Sequence, residues 1–146
     1  MHVALAKVER DLKRNEAALS HYRSAAELYR RLNNPVMLAH AVRHIADILQ
    51  GMGRPGEAEP FALEAIAIYR SQQSPVRLHL ANALRVAALV MEQEQAQDEA
   101  LRFWAEAKGL YQQEGVDAGV AESELHMATI GFPCGNSRAI GQGPAR

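Results

Sequence analysis

The stretch LYRRLNNPVMLAHAVRH, residues 28–44, decides the fold, because the chain writes it again as IYRSQQSPVRLHLANALR at residues 68–85. Each copy carries a Tyr-Arg pair, passes through a short polar segment and restarts at a proline. Proline directly after Asn34 or Ser74 reads as the first helical position behind an N-cap. It lacks only an N–H that a helix start would leave orphaned anyway. Beyond each proline the apolar residues fall at helical spacing, with Val42, Ile45, Ala46 and Leu49 on one stripe and Leu84, Ala87, Ala88 and Met91 on the other. No segment shows sustained strand alternation.

The repetition extends over most of the chain. Tyr29, Tyr69 and Tyr111 are spaced by 40 and 42 residues; Pro35 and Pro75 by 40, with Asp117 in the next slot. Small residues keep the same interval: Ala6, Ala46, Ala88 and Ala128; then Ala18, Ala58 and Ala100; then Ala25, Ala65 and Ala107. Alanine at recurring places marks positions where two helix backbones approach closely. Self-similarity at this period predicts a solenoid, in which each helix pair buries its apolar face against the next. Helices are expected over about 1–12, 15–32, 35–50, 56–72, 75–94, 97–114 and 117–131, with short antiparallel connections such as QGMGRPGE. The expected fold is all-α, three helix pairs plus a C-terminal capping helix. That last helix is expected to turn Glu122, Glu124 and His126 outward and to use Leu125, Met127 and Ala128 as its apolar set. From residue 131 the chain reads GFPCGNSRAIGQGPAR, with four glycines, two prolines and no acidic residue. Residues 1–131 therefore read as one repeat domain and residues 132–146 as a tail.

The unit resembles a tetratricopeptide repeat, whose helix–turn–helix pattern sets a small residue in the first helix, a turn, and two alanines seven apart in the second. VRHIADILQGMGRPGEAEPFALEAIAIYR supplies Ala46, Gly53, Ala58 and Ala65 in that order. LRVAALVMEQEQAQDEALRFWAEAKGLY supplies Ala88, Gln95, Ala100 and Ala107. The usual period is about 34 residues. The longer units here are similar to the kinesin-light-chain branch, and Val42 and Leu84 stand where the usual first-helix tryptophan would be. The resemblance implies a right-handed α–α superhelix whose concave side, lined by first helices, binds a peptide or partner segment.

Composition narrows the function. Lys plus Arg number 16 and Asp plus Glu 17 in 146 residues, a formal net charge of −1. A generic nucleic-acid binder would carry a basic excess, so no nucleic-acid partner is expected. The longest clean apolar run, VAALVM at 86–91, is far too short for a membrane span, and Lys7, Glu9 and Arg10 interrupt the start before a signal-peptide run can form. Cys134 is the only cysteine, so no internal disulfide forms. A soluble, cytoplasmic protein is expected, with no membrane partner.

Little points to chemistry. His40, His44 and Asp47 in HAVRHIAD are a conceivable metal face, but Arg43 among them would repel a cation. A solvated face with an Arg43–Asp47 pair is the simpler reading. Cys134 has no fixed base or helix end to lower its pKa, and GMGRPGE is a helix–helix turn rather than a phosphate loop. Phe103, Trp104 and Tyr111 sit at helical spacing beside the alanine ladder and read as packing. With no catalytic constellation in view, a non-enzymatic protein–protein interaction module without cofactor or metal is expected. The alternative is a ligand- or peptide-sensing regulatory domain of a larger system.

Helical periodicity places His40, Arg43, Asp47 and Gln50 on one face, opposite Val42, Ile45 and Leu49. Asn82, Arg85, Leu89 and Glu92 occupy the matching face of the next repeat, and Lys7 and Arg10 that of the first. The resemblance implies that these ten residues line the groove. Arg43 and Arg85 would anchor an acidic or carboxylate-bearing peptide, Leu89 would add an apolar contact, and His40 would add charge below about pH 6.5. Relatives that bind chaperone tails use a carboxylate clamp, whose places are held here by Val3, Lys7, His44, Asn82 and Val86. Chaperone tails are therefore not expected. Apolar solenoid ends favour a homodimer through one end, with the tail packed over the other.

Overall fold

The computed structural model describes residues 2–131, with side chains from residue 11 onward. Residues 132–146, which hold Cys134 and the expected tail, lie outside the described residues, as do the side chains of Lys7 and Arg10. Six helices follow one another: α1 (His2–Arg31), α2 (Pro35–Gly51), α3 (Pro55–Ser71), α4 (Arg77–Gln93), α5 (Gln97–Glu114) and α6 (Asp117–Gly131). Each packs on the next in sequence, and α2 also touches α4. The fold is an all-α helical repeat, with two hairpins, α2–α3 and α4–α5, flanked by α1 and α6. Among the described residues no helix is long and apolar enough to cross a membrane.

The local signals act as expected at several boundaries. Asn34 caps α2, its side chain accepting from the Met37 amide at 3.2 Å, and Pro35 takes the first turn. The hairpin turns repeat bond for bond. Arg54 N donates to Leu49 O at 2.9 Å, and Ala96 N donates to Met91 O at 2.8 Å. The left-handed residue of each turn is Gly53 (φ 76°) in one and Gln95 (φ 62°) in the other.

Three expectations need correction. Seven helices were expected, but α1 is one helix where two and a turn were predicted, so the first unit is not a helix pair. The slot that holds Gly53-Arg54-Pro55 in the next repeat holds Lys13-Arg14-Asn15 in the first. Neither Lys13 nor Arg14 disfavours helix, and no glycine or proline is there to stop it. Ser74-Pro75 does not start α4, which begins at Arg77 with no side-chain cap. The third correction concerns α6. Its buried residues are Gly119 and Ser123, Glu122 and His126 are half-buried against the body, and Leu125 is 67% exposed. The helix therefore docks through Gly119 and Ser123, with Val120, Met127 and Ile130 packed beside them; Glu124 faces out and Met127 in as expected, whereas Glu122 and His126 turn toward the body and Leu125 and Ala128 away from it. Small residues permit close approach there, and Ser123 Oγ donates to Gly119 O of its own helix at 2.8 Å, so its burial orphans no donor.

The alanine ladder is the core of the middle repeats. Ala46, Ala58, Ala65, Ala88, Ala100 and Ala107 are all 0% exposed. At the ends it opens: Ala18 and Ala25 are half-buried and Ala128 is exposed. On the outer side, second helices are tied across repeats by Arg30–Glu64 at 2.9 Å and by Arg70–Glu106 in the next unit. Both pairs are largely exposed and add little stability individually.

Candidate functional site

The first helices α2 and α4 bring four of the ten expected groove residues into one cleft, His40 not among them. Val42, Ile45 and Leu49 are buried, while His40, Arg43, Asp47 and Gln50 are half-buried on the other side of α2. A cleft of about 310 Å³ joins Arg43, Asp47, Asn82 and Arg85, and is closed on its far side by Tyr111 and Glu122. Gln50, Leu89 and Glu92 do not line it. Gln50 instead ties α2 to α4, its carbonyl oxygen and Oε1 accepting from Gln93 Nε2 at 2.9 and 3.1 Å.

The charges are distributed differently from the sequence reading. Arg43 and Asp47 do not pair; Asp47 accepts from Gln50 Nε2 at 3.0 Å. Arg43 makes no ion pair among the described residues, and its Nε is buried with no hydrogen-bond partner. Arg85, expected to be free, is held by Glu122 of α6 through two bonds of 2.6 and 3.0 Å. Hydrogen bonding to Glu122, above all, raises the Arg85 pKa further. Glu92 is half-buried away from the groove. Its carboxylate accepts from Trp104 Nε1 and lies 2.8 Å from His126 Nδ1.

A conserved geometry within the chain frames the cleft. Tyr69 OH and His40 Nδ1 are 2.5 Å apart, and Tyr111 OH donates to Asn82 Oδ1 at 2.7 Å; both contacts span 29 residues. In each of the two hairpins, then, the tyrosine near the end of the second helix meets a polar residue of the first. The ring of His40 also meets His79 edge-on at 4.6 Å, and His44 stacks on Tyr22 at 4.8 Å. Sequence reasoning missed His79, Tyr69, Tyr111 and Glu122 as neighbours of the groove. The tyrosines were visible in the ladder, but nothing in the spacing showed that their hydroxyls reach inward. No group of three or more His, Cys, Asp or Glu is placed to hold a metal ion among the described residues.

Residues 1–71 match the family model of the tetratricopeptide repeat. The match spans α1 and the α2–α3 hairpin, just under half of the 146 residues. The tyrosine bond and the turn pattern of the matched segment recur in α4–α5, beyond the matched residues. A search of curated proteins found no match. Tetratricopeptide repeats are generally protein–protein interaction modules.

Burial changes the expected behaviour of the histidines. Desolvation is the largest influence lowering the His40 pKa, followed by His79, Arg43 and His44. Burial likewise lowers His44, with Arg43 adding to it and Asp47 opposing. His40 therefore does not become a groove cation near pH 6.5, contrary to the sequence reading. The unfolded chain takes up these protons first, so stability is complete above about pH 6.5 and falls as pH drops through the lowered folded values. Thermal melts should show a falling midpoint between pH 7.5 and 5.5, and His44→Gln should flatten part of that slope. An unchanged slope in the variant would remove His44 as its source.

Gly119 sets how closely α6 docks. A Cβ there would lie 2.5 Å from the Tyr111 ring, whose buried side chain is pinned by Asn82. Gly119→Ala should gain helix propensity of about 1 kcal/mol yet lose about 1–3 kcal/mol to overpacking. The expected result is a small net destabilisation with faster amide exchange across α6.

Proposed function

We propose that the chain is a non-enzymatic protein–protein interaction module whose concave face takes up an acidic or carboxylate-bearing peptide, with Arg43 as the principal anchor. The observation that carries this reading is Arg43 itself: a guanidinium on the cleft wall that makes no ion pair among the described residues and whose Nε is buried without a hydrogen-bond partner, although Asp47 and Glu122 line the same cleft. A buried donor without an acceptor is unfavourable, so a ligand carboxylate that supplies two oxygens to the fork gains more than an exposed pair would. Asn82 and Asp47 flank the position and would select among peptides. Arg85 is the second anchor of this reading only when Glu122 releases it. On this view residues 2–131 form a right-handed tetratricopeptide superhelix of the longer, kinesin-light-chain-like period.

Fluorescence anisotropy with a panel of acidic peptides, each with a free and an amidated C-terminus, tests the reading. Arg43→Ala should weaken binding about 10- to 100-fold without changing the melting temperature greatly, and binding by the native chain should fade as salt rises. Glu122→Gln frees Arg85 and should tighten binding. Equal affinity of the native chain and Arg43→Ala for every peptide would move the site off this face.

A further inference from the structure

A second cleft, of about 410 Å³, opens at the α1 end of the solenoid and is lined by Tyr22, Ala25 and Tyr29 of α1 and by Met37, His40 and His44 of α2, among others. Its lining has a counterpart inside each hairpin. Tyr22, Ala25 and Tyr29 hold the slots of Ala62, Ala65 and Tyr69 in α3 and of Trp104, Ala107 and Tyr111 in α5. Those six are buried between two helices each: α3 lies between α2 and α4, and α5 between α4 and α6. In α1 the same three positions are only half-buried. The hydroxyls of Tyr69 and Tyr111 each meet the first helix 29 residues earlier. The cleft thus has the shape and lining of a seat for a first helix.

The segment that matches the seat by register is residues 2–12. It carries Ala6 in the ladder slot of Ala46 and Ala88, with Leu5 at the position of Ile45 and Val8 at that of Ile48. The tetratricopeptide match begins at residue 1 and so takes these residues into a repeat. In α1, however, the helix runs unbroken from His2 to Arg31, about 45 Å at 1.5 Å per residue. Residues 2–12 continue the axis of residues 15–31 and cannot also lie antiparallel beside them in the same copy.

We propose that the cleft accepts residues 2–12 of a second copy of this chain, giving a reciprocal, helix-swapped homodimer. Each copy offers one donor helix and one acceptor cleft, so a two-fold axis satisfies both and closes the assembly. The occupant is a second copy because this chain carries the complementary register, small residue for small residue, already used by α2 and α4 in their own seats. The hinge is Lys13-Arg14-Asn15, where the next repeat turns with Gly53-Arg54-Pro55.

Light scattering on the full chain across a wide concentration range tests this. The native chain should be a dimer. Lys13→Gly combined with Asn15→Pro copies the turn of the next repeat, lets residues 2–12 fold back over their own cleft, and should give a monomer of equal helix content. Ala25→Arg blocks the cleft and Ala6→Arg blocks the donor. Each alone should be monomeric, and mixing the two should restore a dimer, because one copy keeps a good helix and the other a good cleft. A monomeric native chain would overturn the proposal and assign the seat to the chain's own segment or to another protein's helix. A dimer that survives the grafted turn, or a mixture that stays monomeric, would overturn it equally.

Discussion

Replacing Trp104 with alanine is expected to destabilise the protein by about 3–5 kcal/mol, lowering the melting temperature by roughly 6–20 °C. Trp104 is 0% exposed and is the largest fully buried side chain. It sits where three helices meet: from α5 it donates Nε1 to Glu92 of α4 and stacks on His126 of α6 at 4.5 Å. Truncation opens a cavity and removes a donor from a half-buried carboxylate, so two unfavourable effects add. Trp104→Phe retains most of the volume and should lose only the part due to the N–H. Phe103→Ala, at a half-buried neighbour, should be milder than Trp104→Ala. Urea denaturation of the three variants separates these contributions, and a Trp104→Ala midpoint equal to the native one would mean that α6 does not complete the core.

The alanine ladder should show the opposite fault, too little room. Ala46→Leu and Ala88→Leu each insert three carbons where the side chain is 0% exposed, and overpacking of this kind typically costs about 1–3 kcal/mol. Gln73→Leu, on the exposed connection between α3 and α4, is the control and should change stability by less than about 0.5 kcal/mol. If all three variants unfold at the same urea concentration, close helix approach is not what places alanine at those positions.

The swap and the peptide reading concern different clefts that share one wall, because Arg43 lines both. Filling the α1 cleft would surround Arg43 on that side and leave its other side to the concave face. A dimer and a peptide-binding groove are therefore compatible.

The repeat, its period and the six-residue alanine core were legible in the sequence because close packing demands small residues at every turn of the solenoid, and a demand made in each unit is written in each unit. The N-cap at Asn34 and the turn at Gly53 were legible because their chemistry is local. The junctions were not. Whether α1 breaks depends on a balance between local helix propensity at Lys13 and Arg14 and burial of residues 2–12, and periodicity reports only the second. The side on which α6 docks escaped for a related reason: hydrophobicity favoured Leu125 and Ala128, but the tertiary structure supplied an arginine for Glu122, a carboxylate for His126 and an aromatic face for Gly119. Polar side chains are read as solvent-facing until their partners are known, and those partners lie 34 and 37 residues away. The same distance hid the state of the groove. Sequence alone determined which residues share the face of α2 and α4; only the packing of α6 decided that Arg85 has a carboxylate partner, while Arg43 makes no ion pair among the described residues, because the pairing of a charge is settled by which helix comes to lie beside it.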